Sequence, residues 1–523
     1  MNRLTIPTLL LFLLLAACTA DATPEPIPTV FPTPIPPAKA EPTTIPSDAP
    51  SPILPTAEVE TKTAVSEEDI AAFKSGLIDS QQAVVDTLLP TAPLYHLQLI
   101  VSDDLGLITG HEQLRYTNQE NVPVDAVYFH LFPNLLGVSI EITEVMVDGN
   151  PITPALEQED DSILRVPLDD PLQPGEVVGI EMVFETAVPT ESGRNYGIFA
   201  NVDGVLAMAH FYPQLAVYDA DGWQITAPSL QGDVTYGDSS FYIVELTAPA
   251  DQVIVATGVA VESKTDGDQQ TITYAAGPVR DFYAVMSDDY VKQSQLMGET
   301  TINSYAPAAY GEGSAQALAS GTAAMEYFSS QYAPYPYTEM DIASTPTLAL
   351  GVEYPGLFVL TNKIYEDGRY AGYLEGTTIH EMGHQWFYNL IGSDQLNEPW
   401  LDESLTQYIT MRQFENLYGQ DGWDGYYSSL DHRWSSVDYE EIPIGLPVSA
   451  YEEGSTYSGI IYGRGPIFVA ELEEAMGRDV FDAFLRDYFA IYSWDTADTE
   501  EFKALAESHC GCDLTLLFEE WVY

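Results

Sequence analysis

Between residues 90 and 297 apolar and polar positions alternate in short runs. The stretches 95–101 (YHLQLIV), 125–131 (DAVYFHL) and 241–246 (FYIVEL) have the period of half-buried strands. Turn sequences such as Asp148-Gly149-Asn150-Pro151 and Asp266-Gly267-Asp268 separate them. The pattern predicts an antiparallel β domain over 90–297. From 298 to 523 helical stretches dominate, most clearly over 313–332, 375–390, 402–418 and 502–508, and predict a second, α/β domain. A short helix is expected over 66–89, with Glu67 and Glu68 suited to its first turn. No internal repeat is evident.

The N-terminus breaks this pattern. After Arg3, Leu9 to Ala17 is an unbroken apolar run. It is too short to span a bilayer and has the length of a signal-peptide core. The run closes on Leu15-Ala16-Ala17-Cys18, which resembles the lipobox of bacterial lipoproteins, so residues 1–18 are expected to be a lipoprotein signal peptide with Cys18 as the lipidation site. That implies an extracytoplasmic protein anchored to a bacterial membrane by lipid. Residues 19–65 hold 12 of the 36 prolines, between Pro24 and Pro55, and are expected to be a disordered Pro/Thr-rich linker.

Charge narrows the partners. The 523 residues carry 18 Lys+Arg against 79 Asp+Glu, a formal net charge of -61. Such a surface repels phosphate backbones and excludes nucleic acid as the natural partner. It favours cationic or amine-bearing substrates by raising their local concentration, and equally serves solubility. The three cysteines, Cys18, Cys510 and Cys512, are too few for a disulfide framework or a cysteine zinc site.

The strongest chemical signal is His380-Glu381-Met382-Gly383-His384. On a helix, positions i and i+4 share a face, so both imidazoles can reach one metal ion. In a chain of this composition a His-acid-x-x-His string is expected by chance only about 0.02 times. Catalytic zinc commonly takes three protein ligands. After eighteen intervening residues His384 is followed by Glu403, in Glu398-Pro399-Trp400-Leu401-Asp402-Glu403-Ser404. Pro399 breaks the chain and Asp402 is placed as the N-cap of a new helix, which can fold back and present Glu403 to the metal. Read alone, Glu403 is a solvated first-turn carboxylate.

His380-Glu381-x-x-His384, eighteen residues, then Glu403 resembles the gluzincin pattern of the aminopeptidase N family of zinc metallopeptidases. His384-Gln385-Trp386-Phe387-Tyr388-Asn389-Leu390 is similar to the family's continuation after the second His. Trp400-Leu401-Asp402-Glu403 matches its tryptophan-leucine-asparagine-glutamate, with Asp402 where Asn is usual. Gly351-Val352-Glu353-Tyr354-Pro355-Gly356-Leu357 resembles its glycine-x-methionine-glutamate exopeptidase motif, with Val352 in place of Met, and Tyr462-Gly463-Arg464-Gly465-Pro466 its tyrosine-x-lysine-glycine-alanine segment. The resemblance covers residues 90–523. It implies an N-terminal β domain followed by a thermolysin-like α/β zinc catalytic domain, without the C-terminal helical domain usual in the family.

The resemblance also implies roles. His380, His384 and Glu403 would hold one Zn²⁺ per chain, which polarises the scissile carbonyl and lowers the pKa of water toward ~7. Glu381 would be the general base. Tyr462, read alone one of 33 tyrosines, would stabilise the oxyanion. Glu353 would grip the substrate's free α-ammonium, with Gly351 and Val352 lying along the substrate backbone as an edge strand. The implied partner is a peptide with a free N-terminus. The family's second amine-binding residue has no assigned counterpart in Ala207-Met208-Ala209-His210-Phe211-Tyr212-Pro213-Gln214. Competing readings are a zinc endopeptidase, another zinc hydrolase such as the epoxide-opening relatives, or a non-catalytic surface binding lipoprotein.

Overall fold

The computed structural model describes residues 65–523, apart from 194, 230, 231, 233, 235, 367–370 and 452. The signal segment 1–18, with Cys18, and all but the last residue of the stretch 19–65 lie outside the described residues. Among the described residues no helix is long and apolar enough to cross a membrane.

The expected helix over 66–89 is two helices, α1 (Glu67–Ser75) and α2 (Ala83–Leu88). Ser66 and Asp69 close a reciprocal capping box at the start of α1. The helix stops at Gly76 because the next residues pair elsewhere. Leu77 bridges to Tyr337, and the Ile78 N–H donates to the Pro336 carbonyl at 3.0 Å. Tertiary pairing overrides helical propensity here.

The N-terminal domain is built on an eight-stranded sheet. Its strands are β1 (Leu94–Val101), β2 (Leu107–Thr117), β3 (Ile140–Val147), β4 (Asn150–Pro151), β5 (Val177–Ala187), β6 (Ser240–Pro249), β7 (Val259–Asp266) and β8 (Gln269–Val279), in the order β7-β8-β6-β1-β2-β5-β3-β4. Alternation does what the sequence predicts: Leu97, Leu99 and Val101 of β1 are buried while Gln98 is not. The pairs are antiparallel except β1 with β6, which run parallel from Leu94↔Phe241 to Ile100↔Thr247. Two four-stranded sheets and a two-stranded ribbon, Tyr218–Asp219 with Gly222–Trp223, complete the domain among the described residues.

The second domain opens with a five-stranded sheet of β9 (Tyr290–Met297), β10 (Thr300–Pro307), β11 (Glu339–Thr345), β12 (Gly351–Tyr354) and β13 (Leu357–Thr361), ordered β9-β10-β11-β13-β12. The edge strand β12 runs antiparallel to β13, with Glu353 opposite Phe358. Helices α3 (Gly311–Gln331), α4 (Leu374–Gly383), α5 (Glu403–Tyr418), α6 (Gln420–Ser435) and α7 (Gly465–Met476) pack behind it. The helix expected over 375–390 ends at Gly383. Burial of Trp386 and Phe387 and a bond from Trp386 Nε1 to the Ala333 carbonyl (2.8 Å) turn the chain out of the helix. In that turn Tyr388 takes φ 99°, a conformation that favours glycine, while its ring is buried.

Arg280 joins the halves. Its Nε donates to the Asn389 carbonyl (3.1 Å) and its guanidinium to the carbonyls of Gly237 and Asp495. Cys510 and Cys512, two residues apart, form a disulfide.

Candidate active site

Helix α4 presents His380 and His384 on one face, both at least nine-tenths buried. Helix α5 runs back against it and carries Glu403 in its first turn. Gly383 permits the approach, since a Cβ there would stand 2.9 Å from Thr406 Cγ2 and 3.1 Å from Ile409 Cδ1. The three donor atoms converge. His380 Nε2 lies 3.2 Å from His384 Nε2 and 3.2 Å from Glu403 Oε2, and His384 Nε2 lies 3.5 Å from the same oxygen. A tetrahedral ion with ligands at about 2.0–2.1 Å requires donor separations of about 3.3–3.4 Å. The set therefore fits zinc without rearrangement.

With both rings neutral and their inner nitrogens unprotonated, the two lone pairs and the carboxylate face a common point where a cation can sit. Asp402 fixes which nitrogen faces inward. It does not cap α5, as the sequence suggests; its Oδ1 sits 2.6 Å from His384 Nδ1. A proton held there leaves Nε2 as a lone pair directed at the metal position. Burial pushes His380 down to about 4, so it is neutral at pH 7. Burial would also lower His384, but the charges of Asp402, Glu353 and Glu403 outweigh it and raise that ring well above its ordinary value. Burial would raise Glu403, yet the two imidazoles hold it well below the usual carboxylate range. The site thus favours positive charge at its centre.

Glu381 and Glu353 complete it. Glu353, Glu381 and His384 each offer an atom within 4.8 Å of the others, and all three are buried. The edge strand β12 passes so close to α4 that a Cβ on Gly351 would stand 2.3 Å from Glu381 Oε1. A side chain there would displace Glu381. Gln385 clamps the strand: its Nε2 donates to the Tyr354 carbonyl (3.0 Å) and its Oε1 accepts from Gly356 N–H (2.9 Å). Val352 is half-buried and packs on the cluster that contains Phe132, Tyr283 and Tyr354.

Tyr462 lies in a π-helical turn, Ile460–Arg464, a local irregularity frequent at functional sites. Its hydroxyl donates to Glu403 Oε1. Arg433 of α6 stacks over its ring with 5.3 Å from Cζ to the centroid. Ser404 Oγ donates to the Ile461 carbonyl (2.7 Å), fastening this turn to the helix that bears Glu403. Gly351, Glu353, His380, Glu381, His384, Glu403 and Tyr462 therefore meet at one place, while Val352 packs to the side. Gln214 lies instead in a buried set, with His210 Nδ1 at 3.3 Å and Asp281 Oδ1 at 3.5 Å. Sequence reasoning missed Gln385, Gln395 and Arg433, whose partners are set only by the tertiary fold.

Residues 316–521 match the Peptidase family M1 domain. The chain is 23% identical to aminopeptidase M1-B of Oryza sativa subsp. japonica over 293 residues, 53% of this chain and 33% of that protein. It is 23% identical to aminopeptidase 2 of Candida albicans over 439 residues, 80% of this chain and 46% of that protein. It thus spans a third to a half of the length of these curated relatives. Among solved structures, the M1 zinc metallopeptidase from Deinococcus radiodurans superposes with a TM-score of 0.62 at 18% identity, covering 83% of this chain and 93% of that one. A mutant of it bound to a Tyr-Ser-Ala substrate superposes with a TM-score of 0.62 at 17% identity, covering 83% and 94%. The fold is the two-domain M1 fold, a β-sheet domain followed by an α/β catalytic domain, and its His-His-Glu set is a zinc site.

Proposed function

We propose that this protein is a zinc aminopeptidase that removes N-terminal residues from peptides. The observation that carries the reading is the convergence of His380, His384 and Glu403 on one point, with Glu381 and Glu353 beside it. Zinc, when bound, supplies Lewis acidity to the carbonyl and to water. Glu381 takes a proton from the attacking water and returns it to the leaving amine. Tyr462 gives up its bond to Glu403 and turns its hydroxyl to the oxyanion. Glu353 receives the substrate's α-ammonium, which sets the first peptide bond over the reacting groups. Its place within 4.8 Å of Glu381 and His384 sets an ammonium held there beside the reacting groups, which supports exopeptidase over endopeptidase action.

The lipobox-like Leu15-Ala16-Ala17-Cys18 supports a further part of the reading: lipid attachment at Cys18 and display outside the cytoplasm, with residues 19–65 as the tether. Metabolic labelling with a fatty acid tests it; wild type takes up label and Cys18→Ala does not. The activity is tested with matched free and N-acetylated aminoacyl amides. An aminopeptidase hydrolyses the free amines and leaves the acetylated ones intact. Equal turnover of both would dismiss the reading.

A further inference from the structure

We propose that Gln395 is a positioning residue that ties the carboxylate meant for the substrate's ammonium to the zinc ligand His384. This deepens the aminopeptidase reading and rests on it. The Gln395 side-chain amide donates to Asp402 Oδ2 at 2.5 Å and to Glu353 Oε1 at 3.4 Å. An amide nitrogen carries two hydrogens, so one group serves both carboxylates. Asp402 is then held from both sides, by Gln395 at Oδ2 and by His384 Nδ1 at Oδ1. The result is a chain of contacts, Glu353 to Gln395 to Asp402 to His384, whose four members are all buried.

The choice of side chain is chemically specific. A lysine or arginine here would also bridge two carboxylates, but its charge would neutralise Glu353 and repel an incoming ammonium. A neutral amide orients Glu353 and leaves its charge for the substrate. The same amide keeps Asp402 aligned with His384, and partners of this kind hold the ligand ring in its metal-binding orientation.

The loop that carries Gln395 is built to hold it still. Asp394 Oδ1 accepts from the Leu396 and Asn397 N–H groups, each at 3.0 Å, and Asp394 Oδ2 accepts from Asn397 Nδ2 at 2.6 Å. The Leu396 carbonyl accepts from Val448 N–H at 2.9 Å. The amide is therefore presented by a turn that is fastened on both sides of it. Its partners come from an edge strand and from the residue before α5, so the contact joins three separate segments of the domain.

The test is Gln395→Met in the zinc-loaded full chain, a substitution close in size that removes both donors. Losing a partner one step removed from the metal typically weakens metal affinity about 10–100-fold, and that is the expected rise in the zinc dissociation constant measured by chelator competition. KM for a free aminoacyl amide rises about tenfold or more while kcat stays within about threefold, as expected for a loss of uniform binding. In a Glu353→Gln background the same substitution leaves KM unchanged, because the effect runs through Glu353. Zinc affinity and KM within about twofold of wild type would overturn the proposal, as would an equal KM effect in both backgrounds. Should Gln395→Met fail to give a cooperative melt, Gln395→Glu is measured for the same shifts. Failure of the aminopeptidase reading shows separately, as equal hydrolysis of free and acetylated substrates by wild type; the zinc measurement still decides the Asp402 arm.

Discussion

Asp402 Oδ1 lies 2.6 Å from His384 Nδ1, on the side of the ring away from the metal position. Both residues are fully buried, so the pair is a carboxylate–imidazole contact in low dielectric. Asp402→Asn keeps an acceptor and loses the charge. It is expected to weaken zinc binding about 10–100-fold, and Asp402→Ala more than that. Competition with a chromogenic chelator measures both.

Glu381 is beside the metal but is not one of the three converging ligands. Glu381→Gln should keep zinc at the wild-type stoichiometry and lower kcat by at least about 10²-fold, the ordinary contribution of a general base. Full turnover in that variant would contradict the mechanism.

The Tyr462 hydroxyl is bonded to Glu403, and its ring is held under Arg433. Tyr462→Phe should lower kcat about 10²–10³-fold with little change in KM, as expected for a donor used at the transition state. Zinc content should not change, since the second oxygen of Glu403 is the one that faces the imidazoles.

Gly351 admits no side chain without displacing Glu381. The displaced atom is the end of a side chain, so Gly351→Ala should cost activity more than stability. A misplacement near 1 Å can cost about 10²-fold in rate. The expected result is a large loss of kcat with a melting temperature close to wild type. A variant that melts early and retains its kcat would point to packing instead.

Glu112 of β2 is fully buried, and neither carboxylate oxygen has a hydrogen-bond partner. Burial raises its pKa well above the ordinary value. The folded state therefore keeps a proton that the unfolded chain releases. This group's contribution is most favourable below the unfolded pKa of about 4.3 and declines as pH rises toward the folded value, by up to about 1.4 kcal/mol per unit. Glu112→Leu should remove that slope and raise the melting temperature most at pH 7–8. Thermal melts at pH 5 and 8 check it; a destabilised variant at pH 8 would show that the carboxylate has a stabilising role.

Local rules made much of this protein legible. The period-2 runs at 95–101 and 241–246 became β1 and β6, and the helical spacing of His380 and His384 became one face of α4. The ligand set could be read because its residue types and spacing are dictated by the metal. What could not be read depends on partners distant in sequence. The chain leaves the helix after Gly383 because Trp386 finds Ala333. Asp402 abandons the capping role that its position suggests because His384 and Gln395 are better partners. Gln395 itself carries no local signal; it matters only because β12 brings Glu353 within reach.

The central claim is that two imidazoles and one carboxylate hold a single zinc ion. Elemental analysis of the purified full chain, alongside His384→Ala and Glu403→Ala, tests it most directly. The account predicts one zinc per chain in wild type and almost none in either variant after the same dialysis. Equal zinc in all three proteins, or none in wild type after zinc loading, would contradict it.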